Sequence, residues 1–207
     1  NTMDDVISLG VGEPDFTTPW SIRESGMYSL EHGHTAYTSN LGMPKLRKAI
    51  CAYVKANYGV EYDHDTECIV TVGVSEAIDL AIRAITEPGD EIIYHEPCFV
   101  SYAPTIRLAH GVPVCVETHV EEQFRLTVAA LKKAATAKTK AVLLNFPCNP
   151  TGAVLSRGEI EAILGFAERH DLIVLADEVY SAFVYEGAFT SLYEFSDIRD
   201  RLILVNS

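Results

Sequence analysis

The stretch AVLLNFPCNPTGAV, residues 141–154, runs an apolar segment straight into a rigid polar bend. Ala141-Val142-Leu143-Leu144 shows no polar alternation, as expected of a strand buried on both faces in a parallel sheet. The strand ends on Asn145. Pro147 and Pro150 then fix the backbone on either side of Asn149, and Gly152 follows. A plain connector does not need two asparagines held among prolines. The stretch reads as a shelf that aims one side-chain amide, that of Asn149, at a ligand.

Working outward, the same pattern of short apolar strands and amphipathic helices recurs. Strands are predicted at Cys68–Val72, Glu91–Tyr94, Val112–Val116, Leu172–Ala176 and Leu202–Val205. Helices are predicted at Met43–Tyr58, with Leu46, Ile50, Tyr53 and Val54 on its apolar face, and from Ser75 as cap to about Thr86. Further helices are expected over Ser101–Leu108, Val128–Ala135 and Arg157–His170. The helix after Ser75 is apolar almost all round, which predicts burial on most sides. The alternation implies an α/β fold with a mainly parallel sheet flanked by helices. Residues 1–40 differ: they are turn-rich, with one helix near Trp20–Glu31, and read as an N-terminal arm preceding a domain over 41–207. The sequence closes on a strand without a covering helix, which leads us to expect a piece of a longer protein whose C-terminal part is missing.

The 207 residues carry 29 acidic against 16 basic side chains, a net charge of -13. That balance argues against nucleic acid or an anionic membrane as partner. No apolar run approaches the roughly 20 residues needed to span a bilayer, and no secretory leader is expected. The five cysteines are scattered without metal-like spacing, as expected of reduced packing residues in a cytoplasmic protein. No metal site is expected: His32-Gly33-His34 reads as an exposed loop, and Asp79 with Arg83 as an ion pair on a helix face.

Ligands of parallel sheets sit beyond the carboxyl ends of the strands, and four predicted ends present chemistry. After Val72, Gly73-Val74-Ser75 leads into a helix whose first N–H groups and dipole suit a phosphate. After Tyr94, the loop carries Phe99, an aromatic able to lie on a flat ring. After Leu144 comes the shelf with Asn149. After Ala176 come Asp177 and, three residues on, Tyr180. A buried unpaired carboxylate costs several kcal/mol, so Asp177 wants a cationic partner, and the neighbouring sequence offers no Lys or Arg. Taken singly, these features have ordinary readings: a capped turn, a core aromatic, a turn-capping Asp. Jointly they describe one ligand with a phosphate, a flat ring, a ring nitrogen kept protonated and a polar oxygen, which is pyridoxal 5'-phosphate.

At this point the sequence resembles the fold-type I pyridoxal-phosphate enzymes of the class I/II aminotransferase family. The motifs are Ser8-Leu9-Gly10-Val11-Gly12-Glu13-Pro14-Asp15-Phe16, Tyr37-Thr38 with Gly42 and Leu46-Arg47, Gly73-Val74-Ser75-Glu76-Ala77, the Asn145–Gly152 shelf and Asp177-Glu178-Val179-Tyr180. The resemblance covers essentially the whole sequence but about half of a typical member, namely part of the large cofactor-binding domain, with residues 1–40 as a segment of the small one. It implies transfer of an amino group from an amino acid to a 2-oxo acid. It further implies that Val74 and Ser75 hold the cofactor phosphate, Phe99 stacks on the ring, Asn149 and Tyr180 share its phenolic oxygen, and Asp177 pairs with its nitrogen. Gly12 would lie against the substrate carboxylate, and Asn149 would also contact the substrate. Tyr37 would reach the phosphate in a neighbouring subunit, so a homodimer is expected.

The family's Schiff-base lysine should follow the strand Leu202–Val205, where the sequence stops at Asn206-Ser207. None of its seven lysines (Lys45, Lys48, Lys55, Lys132, Lys133, Lys138, Lys140) falls at a matching position, so this segment alone is expected to be inactive. Two other readings use the same scaffold: a carbon–sulfur β-lyase, and a non-catalytic aminotransferase-like regulatory domain. Gly10-Val11-Gly12 is not a dinucleotide fingerprint, because Pro14 follows at once and the third glycine is missing.

Overall fold

A computed structural model describes residue 7 and residues 12–207. The motif residues Ser8–Val11 lie outside the described residues. The chain divides into two compact units, one ending at Ser39 and the other spanning Asn40–Ser207. In the first unit, α1 (Trp20–Glu31) buries none of its residues. His32 and His34 there contact Tyr28 and Ser29.

The second unit opens with α2 (Pro44–Tyr58), which Pro44 starts and Gly59, left-handed at φ 73°, stops. Val54 is buried on α2 as predicted. Leu46 and Tyr53, also predicted for its apolar face, are exposed, and Arg47 is buried in their place. A segment without helix or strand then leads into α3 (Gly73–Ile85). Alternating strands and helices follow: β1 (Glu91–Glu96), α4 (Tyr102–Leu108), β2 (Val112–Glu117), α5 (Val128–Ala134), β3 (Thr139–Asn145), α6 (Arg157–Arg169), β4 (Ile173–Asp177) and β5 (Leu202–Val205).

The strands form one five-stranded sheet in the order β2-β1-β3-β4-β5, and every neighbouring pair is parallel. Side chains alternate between its faces. Val142, Leu144, Val174 and Ala176 pack on one side with Leu131 of α5 and with Ile160, Ile163 and Phe166 of α6. Ala141, Leu143 and Leu175 pack on the other with Ile78 and Ile82 of α3 and Tyr102 and Ile106 of α4. Strands covered on both faces explain the uninterrupted apolar runs. α6 starts at a capping box, in which Ser156 N–H donates to Glu159 Oε2 at 2.7 Å and Glu159 N–H returns to Ser156 Oγ. Among the described residues no helix is long and apolar enough to cross a membrane.

Three expectations are corrected. Among the described residues Cys68–Val72 forms no strand and joins no ladder; its Val70 N–H donates to Leu41 O at 3.0 Å. A strand needs a partner at its edge, and a cleft lies between this segment and β5, lined by Ile69, Val70, Leu204 and Val205. Ser75 does not cap α3. The helix already begins at Gly73, whose φ of +79° makes the turn, and the Glu76 carboxylate accepts the Val72 N–H instead. Nor is α3 buried on most sides: Ile78 and Ile82 are, while Leu80 is 43% exposed beside the same cleft. Phe166→Ala is expected to destabilise this unit by about 3–5 kcal/mol, whereas Leu80→Ala should cost under about 1 kcal/mol. Urea unfolding of the two variants measures the difference.

Candidate active site

The parallel register brings the ends of β3 and β4 side by side, with Asn145 opposite Asp177. β4 carries four apolar residues and then this carboxylate, which is 4% exposed. Among the described residues Asp177 forms no ion pair. Its partners are neutral: Tyr102 Oη donates to Oδ2 at 2.7 Å, and the Val179 N–H donates to Oδ1 at 3.2 Å. Burial pushes the Asp177 carboxyl above its ordinary range, and these two donors pull it partly back. Tyr102 is raised in turn, first by burial and then by the Asp177 charge.

The shelf is braced from within. Cys148 N–H donates to Ala153 O at 2.9 Å, and Gly152 N–H donates to Cys148 O at 2.8 Å. The peptide bonds before Pro147 and Pro150 are cis. Asn145, buried, ties the shelf to β4: its Nδ2 donates to Asp177 O at 3.2 Å, and its Oδ1 accepts the Asn149 N–H at 2.9 Å. Asn149 itself is half-buried, and its Nδ2 lies 3.4 Å from Tyr180 Oη. Behind the shelf, His95 stacks on Phe146 at 4.7 Å and accepts the Asn145 N–H at 3.4 Å. Burial drives the His95 pKa down to about 4, so the ring is a neutral acceptor.

The remaining predicted residues of the second unit gather at the same end of the sheet. Phe99 meets Tyr102 edge-on at 5.7 Å. Val74 packs in the same apolar cluster as Phe99, Tyr102 and Val205. Gly73 and Val74 line one cleft with Val205, which is paired with Asp177 in the sheet. The first N–H groups of α3, those of Val74 and Ser75 included, have no acceptor within the helix. A chain of contacts therefore runs from Phe99 through Tyr102, Asp177, Asn145 and Asn149 to Tyr180, with the α3 N-terminus beside it. Gly12 and Tyr37 belong to the N-terminal unit, where Tyr37 is fully exposed.

A match to the family model for aminotransferases of class I and II covers residues 4–207. The chain belongs to that family. It is 46% identical over 205 residues to an aspartate aminotransferase of Pyrococcus abyssi, an alignment covering 99% of this chain and 53% of that protein. It is 42% identical over 202 residues to aromatic-amino-acid aminotransferase 2 of Thermococcus litoralis, covering 97% and 52%. The crystal structure of an aromatic aminotransferase from Pyrococcus horikoshii superposes with a TM-score of 0.95 at 45% identity, over 99% of this chain and 55% of that one. The chain thus spans about half the length of the curated relatives it matches.

Sequence reasoning assigned nothing to Tyr102, Asn145 or Glu178. The signal for Tyr102 was the unpaired Asp177 itself, which requires a donor, and Tyr102 is the phenol on the helix face toward it. Glu178 is 1% exposed and clamps a distant turn: Ser191 Oγ donates to its Oε2 at 2.6 Å and Leu192 N–H to its Oε1 at 2.7 Å. Burial, with the Glu194 and Asp177 charges adding, lifts its pKa to about 7 against those two hydrogen bonds.

Two outcomes follow from this geometry. Tyr102→Phe leaves Asp177 with one donor. Its pKa should rise further, and stability at pH 7 should fall by about 1.5–3 kcal/mol in urea unfolding. For Glu178, the folded chain holds the proton more tightly than the unfolded chain. Its contribution to stability is therefore full below the ordinary Glu range, about pH 4, and lost as pH rises through its raised pKa. Between about pH 4 and 8 the native chain should lose on the order of 3 kcal/mol more than Glu178→Gln. Unfolding free energies of the two at several pH values check the sign.

Proposed function

We propose that this chain is the cofactor-binding half of a pyridoxal-phosphate-dependent aminotransferase that moves an amino group from an amino acid to a 2-oxo acid. The observation that carries the reading is Asp177: a buried carboxylate at a strand end, held by a phenol and an amide but, among the described residues, by no cation. Such a group suits a ligand that brings its own protonated ring nitrogen. The other donors fit the same cofactor. The Asn149 amide and the Tyr180 hydroxyl, adjacent to each other, suit a phenolic oxygen. Phe99 suits the ring face, and the Val74 and Ser75 N–H groups suit the phosphate.

When bound, the cofactor supplies an electron sink for the carbanion left when a substrate Cα–H bond breaks. Asp177 keeps the positive charge on the ring nitrogen by offering a carboxylate in a dry site. Tyr102 holds that carboxylate in one orientation. Asn145 fixes the shelf and so the reach of Asn149, while Phe99 limits tilting of the ring. Gly12 is assigned to the substrate carboxylate, and Asn149 to the substrate as well as the cofactor. Residues 1–40 are read as part of a small domain, and 41–207 as part of the large one. Tyr37 is assigned to the neighbouring subunit's phosphate in a cytoplasmic homodimer.

The test is amino-group transfer. A protein carrying this segment together with the further length seen in its relatives should convert an amino acid and a 2-oxo acid into the corresponding new pair. Release of ammonia and a 2-oxo acid without a new amino acid would assign it to the lyases instead. Asp177→Ala should lower cofactor affinity at least about tenfold, the loss expected when a charge-assisted contact is removed. The 207-residue chain alone should show no turnover, because among the described residues no lysine hydrogen-bonds to the side chains of Asp177, Asn149 or Tyr180.

A further inference from the structure

The pairing of β1 with β3 is shorter than either strand. It runs from Glu91 opposite Thr139 to Ile93 opposite Val142 and stops there, although β1 continues to Glu96 and β3 to Asn145. On their other edges β1 stays paired to β2 through Glu96, and β3 to β4 through Asn145. The two strands therefore part from each other just below the site. His95 lies in that gap and is 1% exposed. Its ring stacks on Phe146 with centroids 4.7 Å apart, and its Nε2 accepts the Asn145 N–H at 3.4 Å. An N–H donates only to an unprotonated ring nitrogen, so the imidazole proton sits on Nδ1. Nδ1 is buried and forms no hydrogen bond among the described residues. A buried unpaired donor is costly, and a side chain needed only to fill the gap would be better apolar.

We propose that His95 is a positioning residue: its imidazole stands in for the β1–β3 ladder where the strands part, and so fixes the Phe99 loop relative to the Asn149 shelf. The inference rests on the reading that Phe99 and Asn149 take two parts of one cofactor ring. β1 leads through Pro97 and Cys98 to Phe99, and β3 leads through Phe146, Pro147 and Cys148 to Asn149. A crevice at this boundary needs the strands to separate, yet the groups on its two sides must keep a fixed spacing. Asn145 is the joint. Its N–H is held from the β1 side by His95, while its side chain holds Asp177 O and the Asn149 N–H. A second contact crosses the same gap, from the Cys148 thiol to Pro97 O at 3.5 Å. A thiol is a weak donor, which leaves the imidazole as the main tie.

Three variants separate the acceptor from the bulk. His95→Phe keeps a ring against Phe146 and removes the acceptor. His95→Gln can set an amide oxygen near the place of Nε2, and His95→Asn is too short to do so. Amide hydrogen exchange is followed in the cofactor-free 207-residue chain. In His95→Phe the Asn145 and Asn149 amides should exchange at least about tenfold faster, as expected for the loss of one buried hydrogen bond, with Val174 and Leu175 of β4 unchanged. His95→Gln should bring both within about threefold of the native chain, and His95→Asn should not. A residue that only fills space gives the opposite order, with Phe tolerated and Gln not, and that order would overturn the proposal. Equal acceleration at Val174 and Leu175 would overturn it too, as lost global stability in place of a lost local tie. Nitrogen NMR of the unsubstituted chain should show His95 protonated on Nδ1 alone; the other tautomer overturns the proposal even where no variant folds. Pyridoxal phosphate affinity, by equilibrium dialysis, should fall at least about tenfold in His95→Phe and recover in His95→Gln. Equal affinity in the native chain and His95→Phe would overturn the proposal. A native chain that binds no cofactor would count against the proposed function instead, and the exchange and tautomer results would still decide on His95.

Discussion

A carboxylate at the end of a fully apolar strand is the constraint on which the rest of this structure depends. β4 delivers Asp177 from the core into a site where burial makes its ionised form costly. A phenol and a backbone amide reduce that cost without removing it, because neither carries charge. A position needed only for folding would be better served by an apolar residue of similar volume. The retained cost makes the site selective, since it is relieved by a ligand that carries a positive charge to the same spot. The acidic net charge of the chain fits this economy. In the proposed reading the N–H groups of α3 take an anionic tail and a single acid takes a cationic ring.

Precision comes from the sheet. In the parallel order β2-β1-β3-β4-β5 the strands end on one side, and the chain runs outward in both directions from the β1–β3 boundary. Such a boundary opens a crevice beyond the strand ends. The β3–β4 register then sets Asn145 beside Asp177, and Asn145 spends both ends of its amide on holding the shelf to the neighbouring strand. Asn149 owes its position to that brace and to the turn closed between Cys148 and Ala153. Side chains on rigid strand ends hold geometry better than side chains on free loops, and each residue assigned to the ring is at most a few residues from a strand or helix end.

How much of this could be read in the sequence depended on the kind of signal. β5, at Leu202–Val205, and α1, at Trp20–Glu31, match their predicted bounds because an apolar run and a flanking turn are local features. Asn149 and Tyr180 were legible as chemistry placed just past apolar runs, and the structure sets them 3.4 Å apart. Cys68–Val72 misled because a strand is a relation between two segments, and composition reports only one of them. Ser75 misled because the backbone of Gly73 starts the helix before any side-chain cap is needed. Tyr102 was hidden by its surroundings: on an apolar helix face a phenol looks like core packing, and 75 residues separate it from the carboxylate it serves. The exposed flank of α3 was missed for a related reason, since apolar periodicity shows which side chains favour burial and not what covers them.

Asp177 and Glu178 show how adjacent acids come to do different work. The strand's alternation turns one toward the Tyr102 side and the other toward the turn at Ser191-Leu192, and burial raises both. Glu178 also donates its N–H to Val205 O at 2.9 Å, so its backbone is held by the next strand while its carboxylate holds the turn. The excursion 179–190 is thus pinned at its start and its end by one residue. Tyr180 rides on that excursion, in a short 3-10 turn closed by Phe183 N–H to Tyr180 O at 2.9 Å. The pairing of Tyr180 with Asn149 consequently rests on two independent braces, Asn145 on the shelf side and Glu178 on the other. Loosening either one would separate the Asn149 amide from the Tyr180 hydroxyl that it meets at 3.4 Å.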